Sequence, residues 1–214
     1  MSDAFENMDR MYRIQRYFYD LTRKYYLLGR DQLLEEMNVQ PGERVLEEGC
    51  GTARNLIILA KRHPETEFFG LDASAAMLET AQAKADAAGA HNITLKTALA
   101  DDFTFDSTFD LDRPFDKIFF SYSISMIPPW KESLQNALKN LKPGGALFIV
   151  DFYDQRDLPV PFQRFLKWWL MKFHVKFWPD LMSYLESLDI DGVAKVTVRP
   201  LFRRYSFLAS LTKP

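Results

Sequence analysis

Short apolar runs alternate with amphipathic helical patterns over most of the chain. The apolar runs predict five buried strands, over Arg44–Glu48, Glu67–Leu71, Ile93–Ala98, Asp116–Ser121 and Ala146–Phe152. Helical spacing predicts helices near Thr52–Arg62, over Ala75–Ala88 with Ser74 as its N-cap, and over Ser133–Leu141. Strands that are apolar on both faces and separated by helices are typical of a parallel, doubly wound α/β sheet.

The C-terminal part of the chain departs from this alternation. Lys142–Gly145 predicts a turn before the fifth strand, and Val193–Arg199 and Phe202–Leu208 predict two further strands joined tightly around Pro200. We therefore expect a seven-stranded sheet whose last pair forms an antiparallel edge. The domain that contains the sheet is predicted to span residues 39–214, behind an N-terminal helical lid over residues 1–38.

A glycine-rich segment follows the first strand. In Val45–Ala53, the acidic residue Glu47 precedes Gly49 and Gly51, with Cys50 between the two glycines. Glycine lacks a Cβ atom, so the backbone can turn sharply there and approach a ligand closely. In doubly wound sheets such a turn forms a ligand pocket at the carboxyl ends of the strands. Cys50 is counted with this pocket as a small packing residue, not as a nucleophile.

The charge around the glycines distinguishes between two kinds of cofactor. A nicotinamide dinucleotide site needs a third Gly or Ala three residues after the second glycine, where this chain has Arg54. The pyrophosphate of a dinucleotide would also be repelled by Glu47 and Glu48. S-adenosylmethionine has no phosphate and carries a positive sulfonium and a positive ammonium group. The two acids therefore favour S-adenosylmethionine as the cofactor.

Further cofactor contacts are expected at the ends of the next two strands. Asp72, which ends the second strand, is placed to accept hydrogen bonds from both ribose hydroxyls. Ala73 and Met77 are expected to line the adenine ring, and Ala100 and Asp101 to meet its polar edge. For Asp101, a solvated loop position is an equally good interpretation.

The order of these motifs resembles that of the class I S-adenosylmethionine-dependent methyltransferases over about residues 40–210. The glycine-rich segment, the acid that ends the second strand and the Pro-Gly-Gly turn of Lys142–Gly145 occur in the family's order. The resemblance implies a Rossmann-like fold and methyl transfer from S-adenosylmethionine. Two positions depart from the family pattern, since Ala53 replaces a frequent third glycine and Glu48 replaces a residue that is usually apolar.

A second resemblance covers nearly the whole chain and concerns the methyl acceptor. The runs Tyr19–Arg30, Phe120–Ile127 and Phe173–Val175 resemble the betaine-lipid methyltransferases, which methylate the amino group of diacylglycerylhomoserine three times. Related lipid and quinone enzymes share parts of these runs. Methylation of phosphatidylethanolamine or of a quinone precursor therefore stays open, as does a non-catalytic membrane-associated protein of the same fold.

Residues in and near these runs are candidates for the acceptor site. A trimethylated nitrogen cannot donate a hydrogen bond and is stabilised by aromatic faces. Arginines are candidates for the carboxylate of the homoserine head group or of the cofactor, and a histidine for the proton of the amine. The candidates are Tyr19, Tyr25, Tyr26, Tyr122 and His174 for catalysis, Arg23 and Ser121 beside the cofactor, and Arg30, Ser123 and Trp130 for the acceptor. The alternatives are core packing for the tyrosines, surface ion pairs for the arginines and a structural role for His174.

Composition narrows the class of protein. Apolar residues make up 47% and charged residues 26% of the 214 residues, which predicts a folded core. No apolar stretch approaches the roughly 20 residues of a membrane-spanning helix. The start, MSDAFENMDR, is acidic and carries no secretory signal. A single cysteine and no cluster with ligand spacing predict no metal site. We therefore expect a cytoplasmic protein.

The net charge of −2 conceals three basic, aromatic segments. Residues 10–30 carry a net charge of +5, and residues 162–178 and 199–214 carry +4 each, which leaves −15 for the rest of the chain. The acidic part suits a cationic cofactor, and the basic parts suit an anionic surface.

Two of the basic segments have the composition of interfacial helices. Pro161–Trp178 (PFQRFLKWWLMKFHVKFW) holds three Trp, four Phe and four basic residues, and Met11, Ile14, Phe18 and Leu21 share one face of an N-terminal helix. These features predict peripheral binding to the anionic inner surface of the cytoplasmic membrane, where a diacylglycerol-derived amino lipid resides. A core-capping helix with a solvated basic side is the alternative. The bulky apolar content disfavours nucleic acid as the partner.

Overall fold

The apolar runs of the sequence form the strands of a seven-stranded sheet. The structure is a computed structural model that describes residues 26–172 and 175–214. The strands are β1 (Arg44–Glu48), β2 (Glu67–Asp72), β3 (Ile93–Thr97), β4 (Phe115–Ser121), β5 (Leu141–Phe152), β6 (Lys195–Leu201) and β7 (Ser206–Thr212). Their spatial order is β3-β2-β1-β4-β5-β7-β6; the first five strands are parallel, and β7 runs antiparallel to β5 and to β6. The predicted fold class, a doubly wound sheet with an antiparallel edge, is confirmed.

Helices connect these strands and cover both faces of the sheet. They are α1 (Arg30–Glu36), α2 (Arg54–Arg62), α3 (Ala75–Ala88), α4 (Phe105–Phe109), α5 (Trp130–Asn140), α6 (Val160–Met171) and α7 (Leu181–Ile190), and a 3₁₀ helix spans Ile124–Met126. The sequence pattern does not predict α4 or α7.

Alternate residues of each strand face two separate apolar clusters. Val45 of β1 packs into one cluster with α1, α2 and α3, whereas Leu46 packs into the other with α5 and α7. Both side chains are fully buried, and such burial stabilises the fold by about 1.5–3 kcal/mol for an aliphatic side chain. Because helices cover both faces, a ligand approaches this sheet at the carboxyl ends of its strands.

Local sequence sets the boundaries of α3. The Ser74 hydroxyl accepts a hydrogen bond from the Met77 backbone N–H at 3.3 Å, and Gly89 ends the helix with a φ of 66°. Serine is favoured at N-caps, and glycine is favoured in the left-handed position after a helix. The predicted span and the predicted cap are both confirmed.

The last two strands differ from the prediction. The chain reverses at Phe202–Arg204, whose residues have φ values of 48°, 57° and 60°, and not around Pro200. Pro200 pairs with Phe207 inside the β6–β7 ladder. Strand β6 is an edge strand, where a residue without a backbone N–H is tolerated. The predicted position of the connection is therefore wrong, and β7 spans Ser206–Thr212 instead of Phe202–Leu208.

Two helices also begin at residues other than the predicted ones. Helix α2 begins at Arg54 because Ala53, with a φ of 58°, still belongs to the glycine-rich turn. Helix α5 begins at Trp130, so Ser133 lies in its first turn, where the Ser133 hydroxyl donates to the Pro129 carbonyl at 2.9 Å.

The turn predicted at Lys142–Gly145 is an irregularity inside β5. The register with β4 shifts between Phe115 and Lys117. Gly144 has a φ of 72°, and its N–H donates to the Lys213 carbonyl at 3.0 Å. The strand therefore continues through the Pro-Gly-Gly segment with a local break in pairing.

Helix α6 ends at Met171, before the predicted end at Trp178. The Trp178 indole N–H donates to the Ile124 carbonyl at 2.9 Å. The end of the predicted interfacial segment thus folds back onto the 3₁₀ helix, because the indole N–H finds an acceptor there.

Within residues 26–172 and 175–214, each helix is too short or too polar to cross a bilayer. The N-terminal face of Met11, Ile14, Phe18 and Leu21 lies outside the described residues. The boundary between residues 1–38 and 39–214 therefore stays a prediction.

Candidate active site

The glycine-rich turn lies at the carboxyl end of β1. The backbone N–H groups of Gly49 and Cys50 both donate to the Leu71 carbonyl, at 2.9 and 3.0 Å. Gly49 has a φ of 71°, and a Cβ atom on it would lie 2.6 Å from the Cβ of Ser123. A Cβ atom on Gly51 would meet no described atom within 4 Å. The turn is therefore sterically closed at the first glycine and open to a ligand at the second.

Asp72, at the end of β2, is oriented by the same turn. Its Oδ2 accepts a hydrogen bond from the Gly51 N–H and its Oδ1 accepts one from the Ser74 N–H, both at 2.9 Å. These two bonds, from N–H groups on opposite sides of the pocket's turn, fix the orientation of the carboxylate. The protein itself thus holds the Asp72 carboxylate in position for hydroxyl groups.

A cavity of about 360 Å³, here called the first cavity, adjoins the turn and Asp72. It extends from the turn past the end of β2 to the segment that follows β3. Nine of the residues predicted for the site line it: Gly49, Gly51, Asp72, Ala73, Met77, Ala100, Asp101, Tyr122 and Ser123.

Other lining residues were missed because their sequence signal is weak. Leu71 and Ala98 belong to ordinary apolar strand patterns, which do not distinguish a cavity wall from the core. Met126–Pro129, which continues the run Phe120–Ile127 near which the acceptor site is expected, forms a further part of the lining. The Pro128–Pro129 pair separates the 3₁₀ helix from α5 and marks this wall as a loop.

Glu47 lies beneath the turn and does not line the first cavity. Its carboxyl group is buried, and its Oε1 accepts a hydrogen bond from the Asn55 side-chain amide at 2.6 Å. Burial raises the pKa of Glu47 to about 8, although the Asn55 hydrogen bond and the nearby Arg30 lower it. A cation bound close to this group would favour its charged form.

Glu48 faces the opposite side of β1 in a fully buried position. In the parallel register it is level with Leu71 of β2 and Phe120 of β4. Neither carboxyl oxygen has a hydrogen-bond partner among the described residues. Burial, with the negative charge of Asp101 as a second cause, raises the pKa of Glu48 well above its ordinary value. Burial among apolar side chains therefore favours the protonated form of the Glu48 carboxyl group.

Cys50 and Ser121, also predicted beside the cofactor, do not line the first cavity. The Cys50 sulfur would lie 2.9 Å from a Cβ atom on Gly70, so the thiol packs against β2. Burial raises the pKa of Cys50 well above its ordinary value, which keeps the thiol protonated. Ser121 ends β4, and its buried hydroxyl oxygen has no hydrogen-bond partner within the described part of the chain.

Tyr122 contributes a buried wall and not an accessible hydroxyl. Its hydroxyl donates to the Leu28 carbonyl at 2.6 Å, and its ring meets Phe152 edge-on with 4.7 Å between centroids. Burial raises the pKa of Tyr122 well above its ordinary value. The phenol is therefore held protonated, which is unfavourable for a general base.

Arg30 and Tyr26 do not line the first cavity. Arg30 is buried, and its Nε donates to the Leu27 carbonyl at 3.3 Å. The Tyr26 ring meets Trp169 of α6 edge-on, with 4.5 Å between centroids. The Tyr26 ring thus joins the segment before α1 to α6, whereas the Arg30 hydrogen bond joins α1 to the segment directly before it.

Trp130 packs into the core, unlike the neighbouring Pro129. Its ring lies 5.5 Å from that of Tyr184 and 6.2 Å from that of Trp178. Helix α5 starts at Trp130, and this start directs the side chain into the apolar cluster below the sheet. The placement gives no support to the predicted contact with the acceptor.

The remaining predicted residues divide into two groups. The Ser123 hydroxyl donates to the Glu48 carbonyl at 2.7 Å, which fixes the segment after β4 against β1. Tyr19, Arg23, Tyr25 and His174 lie outside the described residues, so their roles stay predictions.

Comparison with known sequences identifies the family. Residues 40–186 match the methyltransferase domain family. The chain belongs to this family. Demethylmenaquinone methyltransferase of Geobacillus kaustophilus (strain HTA426) is 28% identical over 195 residues, which cover 88% of this chain and 81% of that protein.

Solved structures share the fold of this methyltransferase. A SAM dependent methyltransferase from Aquifex aeolicus has a TM-score of 0.62 at 17% identity, covering 100% of this chain and 99% of that one. Precorrin-6y C5,15-methyltransferase from Geobacter metallireducens GS-15 has a TM-score of 0.60 at 16% identity, covering 86% and 87%. The protein therefore has the class I fold, and it is an S-adenosylmethionine-dependent methyltransferase.

The first cavity suits this cofactor chemically. Asp72 and Asp101 offer carboxylate acceptors for hydroxyl and amino groups, and the described lining contains no basic side chain that would repel a sulfonium. Gly51 leaves its side of the turn open to a ligand. Among residues 26–172 and 175–214, no group of three His, Cys, Asp or Glu side chains is placed to hold a metal ion.

Proposed function

We propose that this methyltransferase methylates the amino group of a membrane lipid, diacylglycerylhomoserine, in three successive steps that give the trimethylated betaine lipid. One observation carries the proposal: helix α6 exposes a row of large apolar side chains. This row, here called the α6 surface, consists of Val160, Phe162, Phe165, Trp168 and Met171, each 47–63% exposed.

The α6 surface has the properties of a bilayer-binding face. The opposite side of the helix, with Leu166 and Leu170, is buried in the core. Exposed aromatic and aliphatic side chains on one side of a helix are stabilised by insertion between lipid head groups. An apolar row of this kind is rare on a protein surface that faces water alone.

Basic residues accompany the α6 surface. Arg164, Lys167 and Lys172 lie on or beside α6, and the sequence has no acidic residue between Asp157 and Asp180. The Lys172 ammonium lies 4.0 Å from the centroid of Trp168. Each such base near an anionic bilayer stabilises binding by about 1 kcal/mol. The charge therefore favours an anionic membrane as the surface to which α6 binds.

The inner side of α6 packs at the end of the sheet that carries the active site. Leu166 and Leu170 belong to the same apolar cluster as Tyr122, which follows β4, and Phe152, which ends β5. A lipid whose acyl chains remain in the bilayer at the α6 surface would present its head group to this end of the sheet.

Methyl transfer to an amine needs little acid–base chemistry from the protein. S-adenosylmethionine supplies a methyl group on a positively charged sulfur. The protein has to hold the acceptor nitrogen in line and exclude water, because orientation and desolvation provide most of the rate. The nitrogen reacts through its lone pair, so the ammonium form must lose a proton before each methylation. Since Tyr122 is buried and hydrogen-bonded, that proton goes to water or to His174.

A quinone precursor is the second candidate acceptor. The observation that favours it is the relative from Geobacillus kaustophilus, which is named demethylmenaquinone methyltransferase. A quinone precursor is also an amphiphile that resides in the membrane, so the α6 surface is compatible with either acceptor.

Labelled methyl donor distinguishes the two acceptors. The protein is incubated with methyl-labelled S-adenosylmethionine and phosphatidylglycerol vesicles that contain diacylglycerylhomoserine, phosphatidylethanolamine or demethylmenaquinol. We expect label in the betaine lipid. Label in the quinone alone would support the second candidate. Label only in phosphatidylethanolamine, or only in water-soluble products, would contradict both. Asp72→Ala should abolish labelling, whereas Asp102→Ala, a change at an exposed acid, is the matched control.

A further inference from the structure

Glu48 lies behind the wall of the first cavity. The next residue in the chain, Gly49, lines this cavity. Leu71, which is level with Glu48 on the adjacent strand, lines it as well, and adjacent strands lie about 4.8 Å apart. The hydroxyl of a third lining residue, Ser123, donates to the Glu48 carbonyl at 2.7 Å. Three neighbours of Glu48 are therefore part of the wall, and Glu48 itself forms the layer behind it.

The fold gains no stability from an acid at this position. The two residues level with Glu48, Leu71 and Phe120, are apolar, and all three side chains are buried. Neither carboxyl oxygen of Glu48 has a hydrogen-bond partner among the described residues. A buried polar group without a partner destabilises a folded protein, and residues of this kind concentrate at functional sites. The position of Glu48 therefore indicates a role in the cofactor site next to it.

Charges in the first cavity act on the Glu48 carboxyl group through this wall. Burial raises the pKa of Glu48 well above its ordinary value, and the negative charge of Asp101, which lines the cavity, raises it further. Among the charged groups of the described chain, Asp101 is the one that acts on Glu48, because β2 and β4 present apolar side chains to it and Glu47 faces the opposite side of β1. A positive charge in the same cavity acts on Glu48 with the opposite sign and favours its ionised form.

We propose that Glu48 makes the cofactor site sensitive to the charge of its ligand. The carboxyl group is protonated while the first cavity is empty, releases its proton to solvent when a cationic ligand binds, and regains a proton from solvent once the ligand is neutral at sulfur. S-adenosylmethionine carries a positive sulfur and S-adenosylhomocysteine does not, so an ionised Glu48 stabilises the bound methyl donor more than the bound product. This role concerns the cofactor alone, so it goes beyond the proposed acceptor and does not depend on it.

The preference for the methyl donor should increase with pH. A group that ionises more readily in a complex than in the free protein strengthens binding as the pH rises, because binding then releases a proton. The ratio of the dissociation constant of S-adenosylhomocysteine to that of S-adenosylmethionine should therefore rise with pH in the wild type. Two charges about 10 Å apart inside a protein change an affinity by about tenfold, which is the upper bound that we expect for this rise.

Calorimetry with both forms of the cofactor tests this role. Each is titrated into the whole protein without acceptor, from about pH 6 to about pH 9, in two buffers of different ionisation enthalpy, so that the number of protons released on binding is measured. We expect the wild type to release more protons with S-adenosylmethionine than with S-adenosylhomocysteine, and Glu48→Gln to reduce this difference. Glu47 is present in both proteins and contributes equally to both. The matched control is Asp102→Asn, at an exposed acid beside Asp101, which should behave like the wild type.

Two further variants separate an effect of charge from an effect of shape. Glu48→Leu cannot ionise and should behave like Glu48→Gln, whereas Glu48→Asp keeps a carboxyl group and should restore part of the proton release. An unchanged affinity for S-adenosylhomocysteine shows that a variant is folded. Equal proton release with both ligands in the wild type, or the same rise of the affinity ratio with pH in the wild type and Glu48→Gln, would overturn the proposed role. No acceptor is present, so the result is independent of whether the lipid is methylated.

Discussion

Asp72 accepts a hydrogen bond from the backbone N–H of Gly51 at 2.9 Å, so the acid that ends β2 is joined to the turn that follows β1. The two residues are 21 positions apart in the sequence. Parallel pairing of β1 with β2 brings their carboxyl ends to one edge of the sheet. Two short motifs thereby form one site.

Replacing Asp72 with Asn should weaken cofactor binding. The substitution removes the charge and turns one acceptor into a donor that faces the Gly51 or the Ser74 N–H. A hydrogen bond to a charged group contributes about 1.5–3 kcal/mol, so the dissociation constant for S-adenosylhomocysteine should rise by about ten- to a hundredfold in calorimetry. Asp102→Asn should bind like the wild type. Equal affinity of Asp72→Asn and the wild type would exclude Asp72 from the cofactor site.

Gly49→Ala should destabilise the fold more than Gly144→Ala. Both glycines have nearly the same φ, 71° and 72°, but only the Cβ atom on Gly49 would meet Ser123, at 2.6 Å. The strained backbone costs about 1–3 kcal/mol in each variant, and the contact adds about 1–3 kcal/mol in the first. Urea unfolding measures the free energy of unfolding of both variants. Adding Ser123→Gly to Gly49→Ala should remove the difference between them. A difference that persists in the double variant would rule out the steric contact.

The sequence predicts those parts of the fold that depend on local composition. Helix α3 has its predicted bounds because Ser74 and Gly89 cap it. Strand β1 has its predicted bounds because Val45 and Leu46, which are buried on opposite faces, lie directly before the glycine-rich turn. The reversal at Phe202–Arg204 is not predictable in this way. Its left-handed residues are not glycines and carry no turn signal, so only pairing with the neighbouring strand reveals it.

The same distinction between local and long-range causes applies to the candidate active site. Gly49, Gly51 and Asp72 are predictable because strand ends and backbone geometry place them. Trp130 was misplaced because the start of α5 decides where its side chain points. The contact between Trp178 and the 3₁₀ helix joins residues that are distant in the sequence, so no local pattern predicts it.

The raised pKa of Glu47 predicts a stability that falls with rising pH. Burial raises this pKa from 4.5 to about 8, so the folded protein keeps a proton that the unfolded chain releases over that interval. The protonated Glu47 side chain makes its full contribution to the free energy of unfolding below about pH 4.5, and this contribution is lost as the pH rises through 8. The free energy of unfolding should fall by at most about 1.4 kcal/mol per pH unit over this interval. Glu47→Gln, which keeps an oxygen for Asn55, should flatten this decline in urea unfolding. The exposed Glu65→Gln should not, and identical slopes in all three proteins would contradict the prediction.

Substitutions on the α6 surface should reduce membrane binding. Phe165→Ser with Trp168→Ser removes apolar side chains that we expect to insert, and Lys167→Glu replaces attraction by repulsion. Each base contributes about 1 kcal/mol to membrane binding, which is a factor of about five in affinity. In flotation with phosphatidylglycerol vesicles, less of either variant than of the wild type should float with the vesicles. Ile190→Ser, at an exposed apolar residue of α7, is the control. Undiminished flotation of both α6 variants would exclude this surface from the membrane contact.

Glu48→Leu should stabilise the protein, and more so at high pH. The buried Glu48 carboxyl group lies level with Leu71 and Phe120 and has no hydrogen-bond partner among the described residues. An unpaired buried polar group costs about 1–3 kcal/mol, and leucine, which is of similar size, removes it. Burial raises the pKa of Glu48, so the wild type loses stability as the unfolded chain ionises, whereas Leu does not titrate. The gain in the free energy of unfolding should therefore be larger at pH 8 than at pH 5. Glu48→Gln keeps a buried polar group and should gain less at both. A lower free energy of unfolding for Glu48→Leu at both pH values would mean that the carboxyl makes stabilising contacts.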